Sequence, residues 1–409
     1  MNKMIVLLWV CAPMAFSANE IRVENGLKPE KAAVTMVFEE DLRLGADSGE
    51  DYHIWSGSSV TVDANKQGHI FITDPGGNRI LQFDENGEFV KQIGQKGEGP
   101  GEFQLLTSFK MLDDQTGIAF DNIQVSVTFS KFDKSLKYVD RETQSSFGMV
   151  IQSAIFSNDA RRFGSFYMIP NADGTTIKSY TGFLDMEFKK EKVLTEVTLN
   201  RFNMGKVTDP AWWGDYLSRW FKMVADGIGI FGFAEDGVVF TAVSNEYEIT
   251  KWDKDLKKLM VFGRKYKPIP QNDDQIMALT EPIKDEILSM LPPPLHQYMN
   301  TNVVKRGLQI AEMPPRKPPI FWVIPMEDGG VLAIHNYDVI TGKSSADIFD
   351  KKGKFIGQTE LPKISVNFFG SVFGNNTKMI FKNGYAYVIE DNEDEATMVR
   401  YKYKLVAAK

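Results

Sequence analysis

The sequence predicts an all-β fold: a six-bladed β-propeller of four-stranded antiparallel blades, its last blade closed by an N-terminal strand, with two helical insertions. Three observations predict it. A glycine–aromatic–aspartate spacing recurs along the chain, each recurrence parses into four short strands, and the last recurrence lacks a strand that an orphan segment near the N-terminus can supply.

The spacing is seen first at Gly68, which opens the strand-like run 68–74 (GHIFITD). A turn-rich stretch at 75–78 follows, and Phe83 and Asp84 stand 15 and 16 residues past the glycine. Gly117 with Phe132 and Asp133, and Gly237 with Trp252 and Asp253, repeat both offsets, while Gly94 and Gly263 each lie 11 residues past their aromatic. Weaker copies fill the rest. Phe349, Asp350 and Gly353 echo Phe83, Asp84 and Gly87, Gly164 leads to Phe183, and Gly384 leads to Tyr401. With starting glycines at 68, 117, 164, 237, 330 and 384, the unit is about 50 residues, the length of a propeller blade. The two long spacings mark the insertions.

In the first unit the strands are 59–63, 68–74, 79–83 and 88–93. Runs of Val, Ile and Phe bounded by Asn, Asp and Gly are what a hairpin meander requires. A lone meander would expose two faces and two edges, and radial stacking hides most of that surface. The last unit offers strands at 378–382, 384–390 and 398–404 and then reaches Lys409 without a fourth. The segment 34–39 is strand-like, precedes the first unit, and is predicted to complete the sixth blade.

These residues also carry a resemblance. The run 68–74 with Asn78, Arg79 and Ile80, then Phe83, Asp84 and Gly87, resembles an NHL repeat, and Gly94–Phe103 is similar to the segment that follows such repeats in secreted bacterial six-bladed propellers. The resemblance is strongest over 60–103 and weaker in the second and fourth units. It implies the ring. For function it implies only a range, since NHL-like propellers include interaction modules, sensor domains and a few lyases, and related rings include metal-dependent lactonases.

A chain of 409 residues with 43% hydrophobic content buries a large core without disulfides or a structural metal. Its net charge of −7 argues against nucleic acid or an anionic membrane as partner. Lys3, the apolar run 4–16, and small residues at Ala15 and Ser17 have the layout of a signal peptide, so 1–17 is predicted to be removed and the protein to be exported, periplasmic or secreted. That run is too short to cross a bilayer, which takes about 20 residues, and no integral span is expected after cleavage. Residues 18–33 read as a linker and 34–409 as the propeller. Cys11, the only cysteine, falls in the leader. The mature chain then has no disulfide, thiolate zinc site or cysteine nucleophile.

No catalytic, cofactor or metal residues are assigned. The glycine-rich 94–101 lacks the ending of a phosphate loop and reads as a blade-to-blade turn. Asp84, Asp133, Asp253 and Asp350 suit the capping of turns, one per blade, as does Asp74. The histidines His53, His69, His296 and His335 show no metal-ligand spacing, and His53 and His335 are the two within reach of a common channel mouth. No nucleophile elbow occurs. The acidic run Glu390–Glu395 lacks the alternation of a calcium loop and reads as a solvated turn.

The insertions, about 200–226 and 266–319, are the individual features of the chain. Asp209 before Pro210 signals a helix start. Trp212, Tyr216 and Trp220 then form one stripe, and Trp213, Leu217 and Phe221 a second. Two stripes are wider than the face a helix buries against one surface, so either the second insertion or an external molecule must cover the remainder. Trp212, Trp213, Tyr216 and Trp220 are therefore the candidate ligand-binding or partner-binding residues. The second insertion reads as helices at 273–278, 282–290 and 295–305, with a proline-rich return, and the two insertions would form a lid over the channel if they share a rim. The reading these features favour is an exported, non-catalytic binding propeller that holds a protein, peptide or glycan at the channel mouth and insertions, without a cofactor. The alternative is a metal-assisted, lactonase-like lyase or hydrolase of a small molecule in the channel, which needs convergent ligands that the sequence does not display.

Overall fold

Short apolar strands separated by tight turns pair with their sequence neighbours, and the chain does this six times in succession. The computed structural model describes residues 21–45, 53–55, 60–123, 126–145, 149–151, 154–289, 291–364, 378–391 and 395–408. The predicted signal peptide, with Cys11, lies outside the described residues.

Two strands, β1 (Ile21–Asn25) and β2 (Val34–Leu44), precede the first blade. That blade is β3–β6 (Thr61–Ala64, Ile70–Asp74, Arg79–Phe83, Phe89–Ile93), and the second is β7–β10 (Leu106–Met111, Gly117–Ile123, Ser126–Phe132, Tyr138–Ser145). In the third, two short strands, β11 (Val150–Ile151) and β12 (Ile155–Phe156), both pair with β13 (Arg162–Pro170), followed by β14 (Thr176–Asp185) and β15 (Lys190–Asn200). The fourth is β16–β19 (Gly229–Phe233, Val239–Val243, Glu248–Trp252, Lys258–Arg264), and the fifth is β20–β23 (Trp322–Pro325, Val331–Tyr337, Ser344–Phe349, Phe355–Glu360). The sixth is β24 (Met379–Lys382), β25 (Tyr385–Asp391) and β26 (Ala396–Ala407), with β2 as its outermost strand.

The predicted closure is present. β2 runs antiparallel to β26 from Val34 opposite Ala407 to Leu44 opposite Met398. Val34 also pairs with Gly357 of β23, so β2 joins the fifth and sixth blades at their outer edge. Within the predicted linker 18–33 the structure differs: β1 adds to the fourth blade as a fifth, parallel strand, with Ile21 opposite Met260 and Asn25 opposite Arg264. The side chain of Asn25 donates to the carbonyls of Gly263 and Gly353 and accepts the Phe355 amide at 3.0 Å. The N-terminal segment thus straps the fourth, fifth and sixth blades together. Nothing in the pattern of β1 announces this, because parallel edge pairing uses the free backbone groups of β19.

The recurring residues have local causes. Asp84, Asp133, Asp253 and Asp350 each accept, through Oδ1, the amides two and four residues ahead, and Asp185 does the same in the third blade. These carboxylates close the turn between the third and fourth strands. Gly68 and Gly237 sit at φ +89° and +80°, where a side chain would be strained. The glycine-rich 94–101 is a blade-to-blade turn whose carbonyls at Glu98 and Gly99 receive Arg141. It holds a cation.

Both insertions connect the outer strand of one blade to the inner strand of the next, so they emerge on the same face. Helix α1 (Pro210–Asp226) starts as predicted, with Asp209 accepting the Ala211 amide at 2.8 Å. Helix α2 (Asp273–Ser289) is continuous through Pro282, where two helices were expected. A single proline removes one N–H from the ladder, and here the helix continues past it. A 3-10 turn at Pro293–Tyr298 follows, then α3 (Thr301–Ala311), which starts later than predicted because Asn300 caps the amides of Asn302 and Val303. The two insertions pack on each other. A Cβ on Gly307 would stand 2.9 Å from Leu217 Cβ and 3.0 Å from Phe221 Cε2, so α3 meets α1 at van der Waals range only through a glycine.

Candidate functional site

The innermost strands β3, β7, β12, β16, β20 and β24 face a common axis. Together they line a cavity of about 90 Å³ whose wall is largely apolar, with Phe109, Phe156, Phe231, Phe233, Trp322 and Phe381 contributing aromatic rings. The described residues that line it belong to the blades and to neither insertion. The helices pack on each other and on the blades.

At the C-terminal ends of these strands the wall changes character. Asp63 of β3, Lys110 of β7 and Lys382 of β24 meet there. Lys110 Nζ lies 3.2 Å from Asp63 Oδ2, and Lys382 Nζ lies 3.5 Å from Asp63 Oδ1 and 3.3 Å from Glu235 Oε1. Asp63 also accepts the Met111 and Ala64 amides, both at 2.9 Å. Beyond this layer a wider mouth of about 470 Å³ is bordered by Lys66, Asp113, Glu235, Asp236 and Glu327.

The environment pushes the three central groups in different directions. Burial raises the Asp63 carboxyl, but Lys110, Lys382 and the two amides outweigh it and hold it below its ordinary value. Burial lowers the Lys110 ammonium, with Asp63 opposing and Lys382 adding to the fall, and it ends below its ordinary value. Burial lowers Lys382 too, but Asp63 and Glu235 more than compensate, leaving it raised.

The tryptophan-rich stripe is not an exposed surface. Trp213 is 0% exposed, Tyr216 3% and Trp220 7%, and only Trp212 is half-buried. Trp213 donates its indole N–H to the Val207 carbonyl at 2.7 Å. Trp212 stacks on Tyr216 with centroids 5.0 Å apart. This corrects the expected outward stripe. The width of the apolar face did demand a second partner, and the second insertion supplies it.

The histidines stand in separate neighbourhoods. His53 contacts Glu395 at 3.5 Å and Trp55 edge-on, while His69 lies beside Gln82 and Glu85. His296 meets the Leu291 carbonyl, and His335 lies beside Asp347 and Gln358. His53 and His335 share no neighbour among the described residues. Glu390 is held by Arg43 and Tyr401, while 392–394 of the acidic run lie outside the described residues. Among the described residues no group of three or more His, Cys, Asp or Glu is placed to hold a metal ion. The carboxylate of Asp63 is engaged by two ammoniums and two amides, the positions a divalent cation would need.

The sequence reading missed Asp63, Lys110, Glu235 and Lys382. A signal existed: each is an ionisable residue near the end of an apolar inner strand, shortly before the next strand begins. Aligning the repeats on that strand, rather than on glycines and aromatics, brings the four to one level.

Several comparisons accompany this geometry. An exported protein of Bacteroides fragilis is 14% identical with TM-score 0.43, covering 95% of this chain and 100% of that one. A DUF4221 family member from Bacteroides vulgatus is 11% identical with TM-score 0.49, covering 93% and 100%. A virginiamycin B lyase from Staphylococcus aureus is 8% identical with TM-score 0.35, covering 90% and 99%. No curated protein matches the chain. No helix among the described residues is long and apolar enough to cross a membrane. Residues 58–163 match the family DUF5128, described as a six-bladed β-propeller, and the ring of six blades agrees with that match on the fold.

Proposed function

We propose that this chain is an exported, non-catalytic binding protein whose ligand seats at the channel mouth, at the C-terminal ends of the inner strands. The observation that carries the reading is the change of the channel wall from apolar to ionised at Asp63, Lys110, Glu235 and Lys382. A concave, mostly apolar site with a few converging polar groups is the usual form of a ligand pocket. Export is supported by the leader-like segment 4–16. The ligand classes that suit such a mouth are a peptide, a protein segment or a glycan. The insertions serve as structural cover for the blades they join, since their aromatics are spent on each other.

The reading is tested by thermal-shift screening of the purified protein against peptides, organic acids and oligosaccharides. A stabilisation by at least one class that disappears in Lys110→Met supports it. Ligands that stabilise both proteins equally would place binding elsewhere. Turnover of a lactone or ester by the protein, lost in Lys110→Met, would overturn the non-catalytic part.

A further inference from the structure

The ionised layer of the mouth is unevenly screened. Two ammoniums, Lys110 and Lys382, face one buried carboxylate, Asp63. The fourth member, Glu235, keeps 49% of its side chain exposed, against 6% for Asp63 and 11% for Lys382. Water screens Glu235 and does not screen the pair beneath it. Beneath the more exposed Glu235 lie two ammoniums and one carboxylate, Lys110 being 23% exposed.

Hydrogen-bond capacity is uneven too. Asp63 already accepts two amides and two ammoniums, so its oxygens have no capacity left. Each ammonium has three N–H donors. Lys110 directs its own to Asp63, and Lys382 to Asp63 and Glu235, which leaves donors on both. The cavity beneath them is mostly apolar, with Phe109 and Phe381 among its lining residues. The rim above, with Asp113, Glu235, Asp236 and Glu327 against Lys66, is net acidic and disfavours groups of high negative charge such as phosphates.

On the reading that the mouth is the binding site, we propose that it takes a single carboxylate carried on an apolar body, the oxygens bridging Lys110 and Lys382 while the apolar part enters the apolar channel beneath. A free organic acid and the C-terminus of a peptide ending in an apolar residue share this chemistry. Carboxylate–ammonium contacts of this kind are charge-assisted and stronger than neutral hydrogen bonds.

The test is calorimetric titration of the full mature chain with two matched pairs: 3-phenylpropanoate against 3-phenylpropanamide, and a glycine-rich pentapeptide ending in phenylalanine against the same peptide amidated. The acids should bind at least about ten-fold more tightly than the amides. That preference should collapse in Lys382→Met and survive in part in Lys382→Arg. Asp63→Asn should tighten acid binding, because it removes the carboxylate that competes for the same ammoniums. Preference in the small pair alone identifies a free acid, and preference in the peptide pair alone a C-terminus. Amides that bind as well as acids would overturn the carboxylate assignment while leaving the channel reading intact. If neither pair binds, the carboxylate assignment fails, and the channel reading then rests on the wider thermal-shift screen. Weaker acid binding in a folded Asp63→Asn protein would overturn the bridging geometry. The wild-type acid–amide comparison decides the matter even where a variant fails to fold.

Discussion

Val34 and Gly357 meet across the seam between the fifth and sixth blades so closely that a Cβ on Gly357 would overlap the Val34 carbonyl. The glycine is what lets the N-terminal strand, paired along β26, also touch the fifth blade. Gly357→Ala should therefore lower stability by about 2–3 kcal/mol, at the upper end of overpacking costs because the obstacle is backbone. Gly26→Ala, where a Cβ meets only Lys28 backbone atoms at 3.6 and 3.9 Å, should stay within about 0.5 kcal/mol. Urea denaturation of both variants checks this. An unchanged midpoint for Gly357→Ala would mean that this contact with the fifth blade is dispensable.

The helical cover makes a different prediction. Trp213 is fully enclosed and its N–H is spent on Val207, so Trp213→Ala should cost about 3–5 kcal/mol as a large core deletion. Trp212, half-buried, should cost clearly less when replaced by alanine. Gly307→Val should undock α3 from α1, because its side chain would enter the space held by Leu217 and Phe221. Thermal denaturation would register each. Equal, small losses at Trp212 and Trp213 would contradict the packing described.

The ring was legible because its signals are local and repeated. A turn that needs Asp84 to accept two amides needs the same residue in every blade, and the spacing from Gly68 or Gly237 to the aromatic is set by strand length. The closing strand was legible by counting. The site was not, because residue 63 and residue 382 meet only through closure of the ring, and neither lies in a motif. The tryptophans illustrate the opposite limit. Their spacing states how wide an apolar face is, and is silent on whether a neighbouring helix or a ligand covers it.

Arg264 and Asp347 couple the fourth blade to the fifth, and Arg264 adds to the effect of burial on the nearby imidazole. Arg264 Nη2 donates to Asp347 Oδ1 at 3.1 Å, and Nε donates to Oδ2. Tyr247 and Gln358 also donate to that carboxylate. His335 lies 3.4 Å from Asp347 Oδ1 without a hydrogen bond, and burial together with Arg264 brings its imidazole down to about 4. The unfolded chain takes up this proton near pH 6.5, whereas the folded chain resists it until about pH 4. The contribution of this imidazole is complete well above pH 6.5 and falls as the pH drops through that window, opposite in sign to that of Asp347, whose carboxyl burial pushes up to about 8. Between pH 7 and pH 5 the loss from this one group should be about 2 kcal/mol. His335→Gln should remove that part of the slope, as measured by urea denaturation at the two pH values. Parallel pH profiles for the two proteins would contradict it.

The ionised layer of the mouth should show coupling that a simple sum of ion pairs would not. Lys382→Met leaves Asp63 with Lys110 and two amides, and Lys110→Met leaves it with Lys382 and the same amides. Each single change should cost about 1–2 kcal/mol, because one ammonium still neutralises the carboxylate. The double change strands a buried charge, a situation that costs about 3–5 kcal/mol, so the two lysines should couple by about 1 kcal/mol. Adding Asp63→Asn to the double variant should restore much of the loss, since the stranded charge is gone. The pH dependence should also change sign. In the wild type the lysines and amides hold the Asp63 carboxyl below its ordinary value, so its contribution is present above about pH 4 and fades only as the pH falls below that. Without the lysines burial dominates and the carboxyl rises above its unfolded value. The stability deficit of the double variant should then shrink as the pH drops from 7 toward 5. Denaturation of the four proteins at both pH values reads the coupling and the sign together, and strict additivity with no pH effect would mean that Asp63 does not depend on the two lysines.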